Sequence, residues 1–292
     1  MVSNLYHYTS LDALYGIVTS QKLRLFSANN MNDADEISDK AELLEHALMH
    51  ISTVDPEKYS TICKKTIETV QKIKGIGYYR PGFIESAYSC SFVDDGDSLT
   101  HWSMYGLSGE GVAIGFNKKI LQNYLEQTYN IYHIPCIYLT SIMYGSIEDE
   151  IRALLDNYIN YNLNHSGFAI SMSAMLSILG RYKNQLFYPE NETRLLLRIL
   201  NETMMRRFKK EYLKMEEKQG LIGIKTCVLR GVIRTFYELI LTPIWNLNND
   251  EGIISEIIVG PKSGQNISDL RVFFDENGLE HVYIYDSKIP LK

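Results

Sequence analysis

The sequence predicts an α+β fold in which helices are inserted among mostly antiparallel strands. β-prone runs recur from residue 5 to residue 285, and amphipathic helical segments lie between them. The 292 residues, of which 45% are apolar, are enough to bury a large core, and neither repeats nor a clear linker divide the chain. We therefore expect one α+β domain over residues 1–292, with helical insertions at about 33–75 and 147–180.

The N-terminal segment predicts a strand, a helix and a second strand. Leu5 to Tyr8 form a β-prone run, and Thr9 to Asp12 follow with the spacing of a capping box. The helical spacing and the later alternation are carried by Leu11, Leu14, Tyr15 and Val18, then by Leu23, Leu25 and Phe26. His7, Tyr8 and Thr9 lie beside this helix N-terminus, where backbone N–H groups favour an anion, so they are a candidate phosphate or ribose site. The alternative is that His7 is a hydrogen-bonded structural histidine.

Two helices are expected in the first insertion. Asp33 to Glu36 have cap spacing before an apolar stripe that runs to Ile51, and a second helix is predicted from Pro56 to Ile73. His46 and His50 are four residues apart, as helical metal ligands would be. Because no Glu follows His46 and no third ligand is evident, no metal is expected.

Strand character returns at Tyr88–Phe92, continues through Thr100–Tyr105 and recurs at Val112–Phe116. Asp94, Asp95 and Asp97 form a charged loop between the first two of these segments. Trp102 and Tyr105 are three residues apart and are candidates to line a pocket for a flat ring, with core packing as the alternative. The glycines at 106, 109 and 111 lack the spacing of a nucleotide-binding loop and indicate a hairpin.

The second half of the chain predicts further strands at 130–139, 232–241, 253–259 and 281–285. Helices are expected at 148–161, 171–179 and 263–277, the last ending at Gly278. The highly charged stretch from Arg206 to Lys218 is typical of a solvated helix, with nucleic-acid contact as the alternative.

The segment Tyr188–Arg194 carries the strongest candidate site. In an extended strand, Glu190, Glu192 and Arg194 project from one face because side chains alternate with period two. Two carboxylates and a guanidinium in one area suit a cationic transition state at a glycosidic bond. The alternative is a solvated strand face with an ordinary Glu–Arg pair.

Composition limits the class of protein. The formal charge of −6 argues against general electrostatic binding of nucleic acid, although a local basic groove is not excluded. Four widely spaced cysteines indicate reduced thiols, and no signal peptide or membrane span is apparent. The sequence therefore predicts a cytoplasmic protein that does not bind membranes.

Several motifs together resemble a bacterial family catalogued as domain-of-unknown-function family 2971. They run in the same order along nearly the whole chain: Leu5–Ser10, Met31–Asp33 with Glu36, Ser91–Phe92 with Trp102 and Tyr105, Gly111–Phe116, Lys183 with Tyr188–Arg194, and Glu256–Lys262. Pro189 and Asn191 depart from the family pattern, which more often has strand-forming residues there. Because Pro189 cannot donate a ladder hydrogen bond, the carboxylates are expected at a strand edge or in the loop before it.

The N-terminal histidine motif and the late Glu-x-Glu are also similar to the ADP-ribosyltransferase fold, whose members split NAD at the nicotinamide–ribose bond. That resemblance implies a split sheet around a central cleft, with His7 near the ribose and with Tyr8 and Thr9 at the nicotinamide or the adjoining phosphate. It further implies Glu192 as the catalytic carboxylate. In that arrangement Glu190 would orient or deprotonate the acceptor, and Arg194 would bind a phosphate or hold Glu192.

These observations lead to an expected function. The chain is predicted to transfer ADP-ribose from NAD, used as a substrate, to a protein, RNA or DNA acceptor, as a toxin or anti-phage effector restrained by an antitoxin-like partner. One alternative is hydrolysis of NAD without a specific acceptor. Another is a non-catalytic ligand-sensing or interaction domain whose Glu–Arg face is structural. A nuclease-like protein is the last alternative, and Asp94, Asp95 and Asp97, which resemble a loop, are the one carboxylate cluster evident for it.

Overall fold

The structure is a computed structural model of the chain, and it describes residues 3–27, 38–75, 87–128, 136–141, 143–144, 147–160, 181–183, 185–198, 221–229, 231–248 and 251–290. The helices predicted at 171–179 and within 206–218, the cap at 33–36 and the first part, 130–135, of the strand predicted at 130–139 lie outside these residues.

The described residues form seven α-helices and fourteen strands. The helices are α1 Leu11–Ser20, α2 Ser38–Val54, α3 Pro56–Gly75, α4 Leu99–Met104, α5 Lys118–Thr128, α6 Glu148–Asn160 and α7 Ile267–Glu276. The strands are β1 Asn4–Thr9, β2 Lys22–Ser27, β3 Ala87–Val93, β4 Val112–Asn117, β5 Cys136–Ser141, β6 Met143–Tyr144, β7 Tyr182–Lys183, β8 Glu192–Arg198, β9 Leu221–Leu229, β10 Val232–Ile240, β11 Asn246–Asn248, β12 Glu251–Gly252, β13 Ile254–Val259 and β14 Tyr283–Asp286.

Ten of these strands form one mixed, mostly antiparallel sheet. The main path is β14-β13-β4-β1-β3-β2-β10-β9, and β8 pairs with both β3 and β5. The β13–β14 pair is parallel, whereas the other pairs in this sheet are antiparallel. With helices inserted between its strands, this sheet confirms the α+β class.

The sheet forks at β3. One edge of β3 pairs along its full length with β8, so β1 and β2 must share the other edge. β1 reaches this edge at Val93, opposite Tyr6, and β2 reaches it at Tyr88 and Ser89. One branch then continues from β1 through β4, β13 and β14, and the other from β2 through β10 and β9.

The two faces of the sheet differ in what covers them. The face that carries Leu5 and Phe92 packs against apolar side chains of α1, α5 and α7 and forms the main core. The opposite face carries Tyr6 and its cross-strand neighbour Val93, and we call it the Tyr6 face. Near the end of β1, α4 covers the Tyr6 face, where Trp102 packs with Tyr8 and Val93 in a smaller cluster.

A separate apolar cluster joins α2, α3 and α6. Its buried members include Leu48 of α2, Cys63 of α3 and Leu155 of α6. The helices predicted at 56–73 and 148–161 are therefore confirmed, and each buries the apolar side of an amphipathic segment.

Most predicted strands are confirmed within one or two residues, but one segment is wrong. Thr100–Tyr105 was predicted to be extended, whereas Leu99–Met104 form α4. The Asp94–Asp97 loop turns the chain back, and helical backbone lets Trp102 bury its ring while its indole N–H bonds the Asp97 carboxylate. Among the described helices, none combines the length and apolarity that crossing a bilayer requires.

Gly260 lies where two backbone segments approach closely. A Cβ at this position would be 2.3 Å from the carbonyl oxygen of Gly109 and 2.7 Å from that of Gly111. We therefore expect Gly260→Ala to lower the free energy of unfolding by about 1–3 kcal/mol, because neither backbone can move aside without cost. Urea unfolding measures the change. Gly264→Ala, whose Cβ has nothing within 4 Å, is the matched control and should unfold like the wild type.

Candidate functional site

The centre of the candidate site is an ion pair on β8. Arg194 Nε donates to Glu192 Oε1 at 2.7 Å and Nη2 donates to Oε2 at 3.1 Å, so the contact is bidentate. Their residues are 1% and 5% exposed. The two side chains share one strand face, as predicted, but the predicted alternative of a solvated face is wrong. β8 has a partner strand on each side, but the register with β5 ends at Thr193, so Glu192 itself is paired with Val93 of β3 alone among the described residues.

Glu190 does not lie on the strand, which corrects the prediction of three groups on one extended face. It ends a 3-10 turn, Gln185–Glu190, and Asn191 then takes the left-handed conformation with φ 42°. Pro189 suits such a turn because its fixed φ is near the helical value. Glu190 thus precedes the strand, so the expectation of a loop position before the strand holds for this carboxylate. Its side chain is nevertheless buried.

The Tyr105 phenol interacts with the carboxylates of Glu190 and Glu192. Burial, followed by a hydrogen bond to the Glu190 side chain and the negative charges of Glu190 and Glu192, raises the pKa of the Tyr105 phenol well above its ordinary value. The phenol therefore stays protonated and donates to Glu190. This contact places Tyr105, a predicted ligand residue, beside Glu190 and within the electrostatic influence of Glu192.

His101 is part of the same cluster, and it was not predicted. Its ring is 4% exposed, and Nε2 lies 3.0 Å from the backbone oxygen of Glu190. Because a carbonyl only accepts, Nε2 carries the proton, and Nδ1 has no hydrogen-bond partner among the described residues. The only sequence signal was a histidine beside Trp102, which the assignment of a strand instead of a helix concealed.

We expect His101→Leu to lower the free energy of unfolding by about 1–3 kcal/mol, because the buried Glu190 carbonyl loses its donor. His101→Gln should recover part of this loss, since the Gln amide can donate from nearly the same place as Nε2. Urea unfolding of both variants tests the assignment. Equal loss in the two would mean that ring packing against Tyr8 and Tyr105, not this hydrogen bond, sets the stability.

Tyr8 and Trp102 are core residues of this region. Trp102 is fully buried and packs edge-on against Tyr8, with ring centroids 4.8 Å apart. The Tyr8 hydroxyl donates to the Asp95 carbonyl at 2.9 Å and accepts from Ser98 N–H at 3.0 Å. For Trp102 the structure favours core packing, which the sequence left open as the alternative, over the lining of a pocket.

Asp97 holds α4 to the C-terminal segment. Its Oδ1 accepts from Trp102 Nε1 at 2.8 Å and from Ser287 Oγ at 2.5 Å. Its Oδ2 accepts from the Lys288 backbone N–H at 2.7 Å. We call this group of contacts the Asp97 clasp.

His7 and Thr9 are separated from the carboxylates. Strand alternation places both on the face opposite Tyr6 and Tyr8, and the His7 ring contacts Phe92 with centroids 5.8 Å apart. His7 Nδ1 donates to the Ser91 carbonyl at 2.9 Å, between the points where β1 and β2 reach β3. Burial, partly opposed by this bond, lowers the pKa of His7, so the imidazole is neutral with Nε2 as its acceptor. The structure thus places His7 at the fork.

A second carboxylate cluster lies on the Tyr6 face, and it was not predicted either. Glu256 Oε1 accepts from Tyr6 at 2.5 Å and from Asn4 at 2.7 Å, while Oε2 accepts from Tyr285 at 2.9 Å. Burial and the bond to Glu256 raise the pKa of Tyr6 to about 12. Gly115 lies opposite Tyr6 and Glu256, and a Cβ there would come within 2.7 Å of Glu256 Cγ.

No group of three potential metal ligands occurs among the described residues. Of the two histidines with helical spacing, His46 and His50, the second contacts a carboxylate: His50 Nδ1 lies 2.7 Å from Glu148 Oε2 on α6. The groups that the region offers are paired carboxylates with phenol, imidazole and guanidinium side chains.

Residues 101–195 match the model of a family described as protein of unknown function (DUF2971). The matched segment contains His101, Trp102, Tyr105 and the Glu190–Arg194 region, so it supports the resemblance for this part of the chain. It does not include His7, Tyr8 or Thr9. No curated protein and no solved structure matches the sequence.

Proposed function

We propose that the protein transfers ADP-ribose from NAD to a macromolecular acceptor, with Glu192 as the catalytic carboxylate. The observation that carries this proposal is the buried Glu192–Arg194 pair with Glu190 and Tyr105 beside it, close to the fork in the sheet. Burying charged groups is costly, and perturbed ionisable groups cluster at functional sites more than elsewhere.

In the proposed reaction, the bond between the ribose carbon and the nicotinamide nitrogen breaks and its electron pair leaves with neutral nicotinamide. The ribose passes through an oxocarbenium-like state, which a carboxylate at Glu192 stabilises. An acceptor O–H or N–H group then bonds to the ribose carbon, and its proton passes to Glu190. Arg194 keeps Glu192 oriented through two parallel hydrogen bonds.

The other residues predicted to contact NAD differ in how well their positions suit that role. His7 and Thr9 lie on the sheet face opposite Glu192, so they receive less weight as ligands of the ribose or the phosphate. Tyr105 is partly exposed and borders Glu190, so it is the better candidate for contact with NAD. Tyr8 and Trp102 support the site from the core. We propose that the protein acts in a bacterial cytoplasm as a toxin or anti-phage effector. An antitoxin-like protein would inhibit it there.

A second candidate function is a non-catalytic ligand-sensing or interaction domain. Burial favours it, because Arg194 neutralises Glu192 and Trp102 is fully enclosed. In that case the ion pair only fixes β8 between its neighbours.

One experiment separates the candidates. The purified protein is incubated with NAD labelled on the adenylate and with a cell extract, and the protein and nucleic-acid fractions are then isolated. Label in either fraction supports transfer and identifies the acceptor class. Free ADP-ribose as the only product supports hydrolysis of NAD. If NAD is not consumed in any extract, the enzymatic proposal is wrong and the non-catalytic candidate stands.

A further inference from the structure

Three cations surround one carboxylate on the second branch of the sheet. Lys225 Nζ on β9 lies 2.8 Å from Glu238 Oε2 on β10, and Lys22 Nζ on β2 lies 3.6 Å from the same oxygen. Arg24 Nε on β2 is 3.9 Å from Glu238 Oε1. We call these four residues the Glu238 cluster.

The Glu238 cluster carries a net positive charge. Burial raises the pKa of the Glu238 carboxyl, but the hydrogen bond from Lys225 and the charges of Lys225, Lys22 and Arg24 outweigh it and lower the pKa overall. The carboxylate is therefore ionised at neutral pH and offsets only one of the three cations. Two positive charges remain at this place on a chain whose formal charge is −6.

Exposure shows which members of the cluster can reach a ligand. The side chain of Glu238 is 10% exposed, whereas those of Lys22, Lys225 and Arg24 are 30%, 42% and 52% exposed. The carboxylate thus lies beneath the cations, and an approaching anion meets the positive groups first.

The planar guanidinium of Arg24 gives the Glu238 cluster a surface on which a ring could stack. Its guanidinium carbon lies 4.6 Å from the centroid of the buried Phe236 ring, and Phe26 packs beside that ring at 5.7 Å. One side of the guanidinium is therefore fixed against an aromatic ring, while the exposed half of Arg24 remains accessible. Nucleobases stack on guanidinium planes held in this way.

The Glu238 cluster lies on the same sheet face as the Glu192–Arg194 pair. Phe26 pairs with Ser89 on β3, and Ser91, two residues further along β3, pairs with Arg194. Arg24 lies two residues before Phe26 on the antiparallel strand β2, so it points to the same face. An extended ligand that contacts Arg24 can therefore continue along the same sheet face, across β3, towards Glu192.

We propose that the Glu238 cluster binds single-stranded nucleic acid, with Lys22, Arg24 and Lys225 contacting phosphates and the Arg24 guanidinium stacking on a base. Together with the proposed function, on which this step rests, the cluster makes nucleic acid the acceptor of ADP-ribose. Separated cations beside a stacking surface suit a phosphodiester chain better than an acidic protein, whose carboxylates offer no ring to stack.

The test is binding of a fluorescent single-stranded oligonucleotide of about 16 nucleotides, DNA or RNA, measured by anisotropy without NAD. The double variant Lys22→Gln/Arg24→Gln leaves the close Lys225–Glu238 pair in place, which protects folding. We expect it to bind about tenfold or more weakly and to reduce the slope of log affinity against log salt by about 1.4. Arg24→Lys should weaken binding while leaving that slope unchanged, because it keeps the charge and loses the plane.

The control is Lys64→Gln/Lys119→Gln, which removes two exposed cations from α3 and α5. Equal binding by the control and by Lys22→Gln/Arg24→Gln would overturn the proposal, as would tighter binding of an acidic polyglutamate peptide than of the oligonucleotide. The outcomes also separate the two proposals. Binding without NAD consumption refutes only the transfer reaction, whereas label that enters only the protein fraction, without oligonucleotide binding, refutes only the nucleic-acid site.

Discussion

Glu192→Gln is expected to lower the rate of ADP-ribose transfer a hundredfold or more. The amide keeps the size of the side chain but removes the negative charge that stabilises the developing cation, and losing one such transition-state contact costs about 10²–10³ in rate. The assay is incorporation of labelled adenylate from NAD, with the amount of folded protein checked by near-UV circular dichroism.

A matched variant controls for the loss of an ion pair as such. Asp275→Asn breaks the contact between Arg271 and Asp275 on α7, which packs against the opposite face of the sheet, and should leave transfer unchanged. Glu192→Asp keeps the charge on a shorter side chain and is expected to retain more activity than Glu192→Gln. Full activity of a folded Glu192→Gln protein would show that Glu192 is not the catalytic carboxylate.

Arg194→Met is expected to have the largest effect on stability. It leaves the Glu192 carboxylate buried without the guanidinium that neutralises it, and removing one partner of a buried pair costs about 3–5 kcal/mol. Urea unfolding at neutral pH measures the loss.

The double variant Glu192→Gln/Arg194→Met tests whether the cost comes from the isolated charge. With both charges removed, the free energy of unfolding should exceed that of Arg194→Met alone, because no ionised group remains buried there. If the losses of the two single variants simply add, the pair is not coupled and the account of its stability given above is wrong.

The sequence predicted those parts of the site that depend on period-two alternation. Glu192 and Arg194 share a face because they are two residues apart on a regular strand. Period-two alternation does not apply to Glu190, because Pro189 and Glu190 belong to a 3-10 turn and Asn191 has a left-handed backbone before the strand begins. Burial of the pair was not predictable from β8 itself, since it depends on neighbouring strands that are distant in the chain.

Other features were missed because their elements were not recognised. The predicted strand Thr100–Tyr105 contains Thr100, Trp102 and Tyr105, which favour strands, so the helix that positions His101 was not expected. The strand Leu221–Leu229 was not predicted, and without it Lys225 has no assigned place beside Glu238. Such clusters assemble side chains from distant segments, and single-sequence patterns describe only local structure.

The Asp97 clasp has a consequence for the order in which the chain is made. Trp102 lies in α4 beside His101, yet the carboxylate that holds its indole is also bound by residues 190 positions and more downstream. A ribosome must therefore synthesise the chain as far as Lys288 before this part of the site is fixed. Any activity that depends on the position of α4 would thus begin only after residue 288 has been synthesised, and nascent chains that stop short of it would lack this contact.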